Sequence, residues 1–378
     1  MYKEISQFLN ERIAANDFPS AVYLVAEKGE IVYQDALGYS VVEPELIPAR
    51  LDTIYDLASL TKPLVMGLLT AQQLEDGKLE LGSKIGEEHI VFRNSAIAEL
   101  TLQELATHTS GLPAWRPFYL LARSASPVDL GTMIRILEIG KPGTVVEYSD
   151  LNFIALSILI EDGRPDLEFE LGVANELGLN RTCFNPLQKG FERIEIAASE
   201  LGNEYEKQTC VEQGYLQPSA TAGETDWSLV FRDHQIWGDV HDGNAYFMGG
   251  VAGHAGLFSN APEVFKIALQ FLPQHSQILK ADTCELFRTN FTKGMNEDRS
   301  FAFQLASTEG STAGTNMSPE SFGHNGFTGT SLWIDPVNDR IFILLTNRTH
   351  HHPLPFVNIN SVRRRFHDLA IEGLDRRR

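Results

Sequence analysis

The period of hydrophobic and polar positions changes several times along this chain, and each change marks an element. Ile5, Phe8, Leu9 and Ile13 fall on one face at helical spacing, with charges between them, which predicts an amphipathic helix at the amino end. Two β-rich runs follow, SAVYLVAEKG from Ser20 and EIVYQDALG from Glu30, and the Lys28-Gly29-Glu30 between them is a hairpin signal. Residues 63–76 return to a helical pattern. TLQELATHTSGLP, residues 101–113, predicts a helix stopped by Ser110-Gly111 and Pro113. From about 100 to 240 the patterns are short, helical and punctuated by Gly and Pro, with NFIALSILIE at 152–161 the most apolar run. TSLWIDP and RIFILLTNR then read as strands, joined by Pro336-Val337-Asn338-Asp339, which is turn chemistry. Residues 357–374 predict a carboxy-terminal helix.

Strands at both ends with helices between them predict an α+β fold. The economical form is one antiparallel sheet built from the amino- and carboxy-terminal segments, with helices on its faces and a mainly helical lobe inserted in the middle. A chain of 378 residues is long enough for a large core and two lobes.

Composition narrows the partners. A formal net charge of −19 disfavours nucleic acid, which needs a basic footprint. Cys183, Cys210 and Cys284 are far apart and form no CxxC pair, so neither a zinc knuckle nor a disulfide framework is expected, and a reducing compartment fits. Charges interrupt the first helix, which therefore lacks a signal-peptide core, and no run approaches the roughly 20 apolar residues of a membrane span. The expectation is a cytoplasmic protein.

Three segments hold residues that could do chemistry. In YDLASLTKPLV, Ser59 precedes Lys62 by three positions, so the two share a helical face. A serine at a helix start meets free N–H groups, and a neighbouring lysine can stabilise its alkoxide or, when neutral, take its proton. Pro63 supports a place near the amino end of a helix. Alone, the spacing is common by chance. In PGTVVEYSDLNFIAL, Tyr148 lies in a loop before the apolar run. A tyrosine placed against a lysine can have a depressed pKa and act as general base; the alternative is a tyrosine capping a buried helix. In FGHNGFTGTSLWIDP, His324 precedes a strand, and Gly326 lets the backbone approach a ligand. The Phe327 N–H could pair with that of Ser59 as an oxyanion hole. The plainer alternative is a hairpin with a half-buried histidine.

Taken together, the order Ser-x-x-Lys, Tyr-Ser-Asp, His-x-Gly resembles the serine β-lactamase and penicillin-binding protein superfamily. Within it the chain is similar to the class C-type branch, with its family VIII carboxylesterases, D-aminopeptidases and D-Ala-D-Ala carboxypeptidases. LATHTSGLP and GGVAGHAGLFSNA look like further family blocks, and GDVHDGNAYFMGGVAGHAGLFS resembles the penicillin-binding protein 4B and esterase subgroup. The resemblance spans roughly residues 20–350 and implies one β-lactamase-like domain over 1–378. Its lobes would be 1–62 plus 245–378, α/β, and 63–244, mainly helical. It implies Ser59 as acylated nucleophile, Lys62 as proton relay and Tyr148 as base in both acylation and deacylation. His324 would help hold the tyrosine's charge state, and the strand carrying it would bind substrate backbone.

Two positions depart from the family pattern. Asp150 stands where Asn is usual; it cannot donate to a substrate carbonyl but can pair with Lys62. Asn325 stands where Thr or Ser usually contacts a substrate carboxylate, which weakens the case for antibiotic hydrolysis. The leading expectation is an acyl-enzyme serine hydrolase of small esters or amides. Next come processing of D-amino-acid peptides or muropeptides, weak β-lactamase action, and a sensor that is acylated without turnover. No cofactor is implied. Metal binding by His241, Asp242 and His254 is set below a hydrogen-bonded network that orders the loop beside the pocket. Ser259 or Asn260 reads as a helix cap with Glu263 closing a capping box, and His350-His351-His352 as a surface loop. Trp115 and Tyr119 either line the cleft or simply pack. No GxSxG, GxGxxG, P-loop or HExxH motif is present.

Overall fold

The computed structural model describes residues 2–161, 163–216 and 230–377. Ten strands are formed among them: β1 (Ser20–Glu27), β2 (Glu30–Val41), β3 (Ile47–Pro48), β4 (Tyr55–Asp56), β5 (Cys183–Phe184), β6 (Leu257–Ser259), β7 (Gln304–Leu305), β8 (Phe322–Asn325), β9 (Ser331–Asp335) and β10 (Arg340–Thr346). The helices that matter for the site are α1 (Tyr2–Ala14), α2 (Leu68–Glu75), α3 (Leu102–Ala106), α4 (Asp150–Glu161), α5 (Glu204–Glu212), α6 (Ala261–Ala268) and α7 (Asn360–Asp375).

The ends of the chain meet in the sheet, as the sequence pattern predicts. A seven-stranded antiparallel sheet runs in the order β3-β2-β1-β10-β9-β8-β7. At its centre β1 pairs with β10 from Ala21↔Thr346 to Glu27↔Arg340. Both strands are apolar at nearly every position because both faces are covered. Val22, Leu24, Ile341, Ile343 and Leu345 face the larger core, into which α4 and α6 send side chains. Ala21, Tyr23, Val25, Phe342 and Leu344 face a second core, closed by Ile5 and Leu9 of α1 and by Phe366 and Leu369 of α7. Burying each such large side chain contributes about 1.5–3 kcal/mol. The β1–β2 hairpin turns at Lys28 and Gly29, whose φ values of 55° and 75° suit a type I′ turn.

Local punctuation differs from expectation at four places. The helix read over 101–113 covers only Leu102–Ala106, started by a capping box between Thr101 and Glu104. It stops early because His108 takes φ 58° and Thr107 Oγ1 turns back onto the Gln103 carbonyl at 2.8 Å. Residues 63–76 do not form one α-helix. Lys62–Gly67 is a wide π-type turn that begins around Pro63, a residue with no N–H to donate, and α2 follows. Asn260, not Ser259, caps α6, accepting from the Glu263 amide at 2.9 Å. Glu263 closes no capping box. Its carboxylate instead receives the amides of Asn180 and Arg181 and the hydroxyl of Thr182. His350, finally, is buried rather than on the surface. Its Nε2 accepts from the Val42 amide at 2.8 Å and its Nδ1 meets the Ser199 carbonyl at 2.9 Å. Among the described residues no helix is long and apolar enough to cross a membrane.

Candidate active site

The strands build the corner that carries Ser59. The short β4 pairs with β6, which fixes Tyr55 and Asp56. Asp56 Oδ1 then accepts from the Ala58 amide at 2.8 Å, and Ala58 sits at φ 48°, a strained value for a residue with a Cβ. Thr61 Oγ1 donates to the Ala58 carbonyl at 2.7 Å and accepts from the Leu257 amide at 3.1 Å, closing the turn. Ser59 is thereby held half-exposed on one wall of a cleft of about 540 Å³.

Lys62 lies beneath it, fully buried. Its ammonium donates to Ser59 Oγ at 3.0 Å and to the His254 carbonyl at 3.0 Å, and it meets Asp150 Oδ1 at 2.7 Å. Burial alone would lower the Lys62 pKa; the Asp150 carboxylate and Tyr148 outweigh it, and the net direction is up. Lys62 therefore rests as a cation. Asp150, the departure noted in the sequence, does pair with Lys62.

Tyr148 stands in a cage of rings and cations. The Lys62 ammonium is 5.1 Å and the Arg299 guanidinium 5.4 Å from its ring centre. The rings of His108 and His324 lie 4.5 Å and 5.7 Å away. The sequence suggested a depressed tyrosine pKa, and the structure reverses that direction. Burial pushes the phenol up, the Lys62 charge pulls it down, Asp150 adds to the rise, and the net shift is upward.

The second wall comes from β8 and the turn after it. His324 Nδ1 points at the Asn325 carbonyl at 2.9 Å, so Nε2 carries no proton, and it has no partner among the described residues. Burial pushes the His324 pKa well below its usual value, with the Lys62 and Arg299 charges adding to the effect. The positive field at Tyr148 therefore comes from Lys62 and Arg299, and His324 is neutral. The Asn325 amide is engaged with Thr312 Oγ1 at 2.9 Å. Gly326 must be glycine, since a Cβ there would lie 2.0 Å from Thr330 Oγ1 and 2.6 Å from the Leu57 carbonyl. Thr328 and Thr330 donate to the carbonyls of Asp56 and Leu57 at 2.7 and 3.0 Å, which ties this turn to the Ser59 corner. The Phe327 and Ser59 segments thus border one cleft.

The GDVHDGNAYF block forms the network favoured over a metal site. His241 Nε2 meets Glu200 at 2.7 Å, its amide donates to Asp56 at 2.7 Å, and its ring stacks on Phe327 at 5.4 Å. His254 Nε2 meets Asp242 at 2.9 Å. Ligand-type atoms of Asp150, Asp242 and His254 come within 4.8 Å of one another, but the Lys62 ammonium already supplies a cation to Asp150. Trp115 lines the cleft, while Tyr119 packs against Phe231 at 5.7 Å.

Sequence reasoning missed Arg299 and His108. Arg299 is nearly fully buried and pairs with Glu297 at 2.6 Å; its Nε and Nη1 have no partner among the described residues. An arginine two places before the apolar Phe301-Ala302-Phe303 is the one signal that could have drawn attention to it.

Comparison with known proteins agrees with this geometry. The sequence model of the family described as Beta-lactamase matches residues 5–363. The chain belongs to that family. A relative from Escherichia coli (strain K12), named "Putative D-alanyl-D-alanine carboxypeptidase", is 30% identical over 363 residues, covering 88% of this chain and 79% of the relative. The octameric penicillin-binding protein homologue from Pyrococcus abyssi shares the fold with a TM-score of 0.71 at 17% identity, over 98% of this chain and 77% of that one. EstCE1, a hydrolase with promiscuous acyltransferase activity, does so with a TM-score of 0.69 at 17% identity, over 98% and 97%. The chain is thus a serine hydrolase of the β-lactamase and penicillin-binding protein kind, with the α+β fold read from its sequence.

Proposed function

We propose that this protein hydrolyses small carboxylic esters and amides through an acyl-enzyme on Ser59. The observation that carries the reading is the buried Lys62, in contact with Ser59 Oγ and Asp150 and set against the Tyr148 ring. Once Tyr148 has lost its proton, which is the minor form at neutral pH, Ser59 Oγ attacks the carbonyl carbon while its own proton passes to the Tyr148 oxygen. The amides of Ser59 and Phe327 receive the developing oxyanion. When the intermediate collapses, the bond to the leaving group breaks, and that group takes the proton from Tyr148. A water then gives its proton to Tyr148 and attacks the acyl carbon; Ser59 leaves with that proton, and the free acid departs. Lys62 holds the Ser59 oxygen and stabilises both anions by its charge.

A second reading is cleavage of peptides that end in a free carboxylate. It is supported by the name of the Escherichia coli relative and by Arg299, Arg348 and Arg363 around the same cleft. The family carboxylate contact is the weaker here because the Asn325 amide is already held by Thr312.

Intact-protein mass spectrometry during turnover tests both readings. With p-nitrophenyl butyrate we expect a butyryl adduct, steady product release, and loss of both in Ser59→Ala. Faster release of D-Ala from a D-Ala-D-Ala peptide than of p-nitrophenol would favour the second reading. An adduct that persists in Ser59→Ala would remove the nucleophile assignment.

A further inference from the structure

Tyr148 is held from outside its own segment, and most of the holding converges on one residue. The loop 107–114 runs beside residues 143–150. The Gly143 amide donates to the Thr109 carbonyl at 2.8 Å and the Asp150 amide to the Ala114 carbonyl at 2.9 Å. Between these anchors, both amides that flank Tyr148 go to His108. The Glu147 amide donates to the His108 carbonyl at 2.9 Å, and the Ser149 amide to His108 Nδ1 at 3.1 Å. The His108 ring then lies against the Tyr148 ring, at 4.5 Å, and the Phe153 ring, at 5.3 Å.

We propose that His108 is a positioning residue for Tyr148, fixing the base by gripping the backbone on both sides of it and stacking on its ring. The proposal rests on the reading of Tyr148 as general base.

Three further features fit this role. First, the tautomer is set. Ser110 Oγ donates to Asn152 Oδ1 at 2.5 Å, which turns the Asn152 amide nitrogen toward His108 Nδ1 at 3.1 Å. Nδ1 thus accepts two N–H donors and the proton is on Nε2. Second, burial keeps the ring neutral, with the Arg299 and Lys62 charges adding to the effect, so the acceptor is not lost to protonation. Third, His108 takes φ 58°, a strained conformation for a residue with a Cβ, and in it the carbonyl and the ring both serve the same tripeptide. The Nε2–H has no partner among the described residues, so the ring contributes through Nδ1 and its face.

The test compares His108→Asn, His108→Gln and His108→Leu with Tyr148→Phe. An Asn oxygen reaches about the place of Nδ1, and Asn tolerates positive φ. A Gln oxygen reaches past it, and Leu has no acceptor. With p-nitrophenyl butyrate we expect His108→Gln and His108→Leu to lower kcat by about 30-fold or more, within the range a general base supplies. KM should stay within about threefold, because the cleft surface is untouched. His108→Asn should recover kcat to within about fivefold of wild type, a rescue that loss of packing alone would not give. Wild-type kcat in His108→Gln, or a His108→Asn as slow as His108→Gln, would overturn the proposal. If His108→Leu shows no cooperative unfolding, the Gln and Asn pair decides. Tyr148→Phe separates the two readings: an active Tyr148→Phe removes the base assignment itself, whereas an inactive Tyr148→Phe beside an active His108→Gln removes only the positioning role.

Discussion

The two sides of the cleft are built on opposite principles. On the acidic side, the carboxylates are partnered. Asp56 accepts two amides, Glu200 accepts the Tyr205 amide and meets His241, Glu206 accepts the Gly243 amide, and Asp242 accepts the Ala245 amide and meets His254. Around Tyr148, buried polar atoms stand without partners among the described residues: His108 Nε2, His324 Nε2, and Arg299 Nε and Nη1. Unsatisfied buried groups are rare in folded proteins and call for a reason. Here they surround the group proposed to gain and lose a proton. The acidic wall, whose carboxylates are paired although His254 Nδ1 is not, is scaffold that shapes the cleft, and the Tyr148 side, with more unpaired groups, is tuned to a charge that comes and goes.

Four substitutions would break or sharpen this contrast. The largest effect belongs to Tyr148→Phe, expected to lower kcat by about 10²-fold or more. A near-wild-type rate in steady-state assays would erase the functional difference between the two sides. Arg299→Gln comes next. It removes one of the two cations at the Tyr148 ring and should slow turnover about tenfold at neutral pH, with recovery in Arg299→Lys and at higher pH. Equal losses in the Lys and Gln variants would mean that Arg299 acts by packing.

Asp150→Asn tests the charge state. The Lys62 and Tyr148 pKa values are both raised, so the sites hold their protons at neutral pH and kcat/KM should climb as pH rises. Asp150 contributes to both rises, so its replacement should move that climb to lower pH. A pH–rate profile that does not move would show that the 2.7 Å pair does not set the titration.

On the acidic wall the smallest effect on rate is expected, and the change appears in stability instead. Burial and the neighbouring Asp242 push the Glu206 carboxyl from 4.5 up to about 7. Between those values the folded state holds a proton that the unfolded state has lost, so stability should fall as pH rises through this window. Glu206→Gln should abolish that fall, on the order of 3 kcal/mol at pH 8 relative to the wild type. Urea titrations across pH would read it; a parallel slope in both proteins would place the raised carboxyl elsewhere.

How much of this could be seen beforehand depended on how local the cause is. Ser59 and Lys62 share a face by spacing alone, and the β-branched, apolar runs of β1 and β10 marked both as strands. The Asp150–Lys62 pair was foreseeable because an acid replaced an amide beside a known cation. What stayed hidden needed the third dimension. The phenol of Tyr148 was expected to be lowered by its lysine, but burial, which no spacing reveals, is the larger influence. His350 read as surface because it sits in a histidine tract, yet two backbone groups from distant segments claim its ring. Arg299 lies near Glu297 and Asp298 in a stretch that reads as a solvated face, and its meeting with Tyr148 is made only by folding.

The pairing of β1 with β10 has a consequence for how the molecule is made. Ala21 must wait for Thr346, more than three hundred residues later, before the centre of the sheet can close. Until then a ribosome-bound chain holds the β1–β2 hairpin with one apolar edge open, while the helical segments between have no finished sheet to rest on. So long a separation predicts slow folding and a late, cooperative assembly, in which the cleft comes into being only after its last strand has left the ribosome.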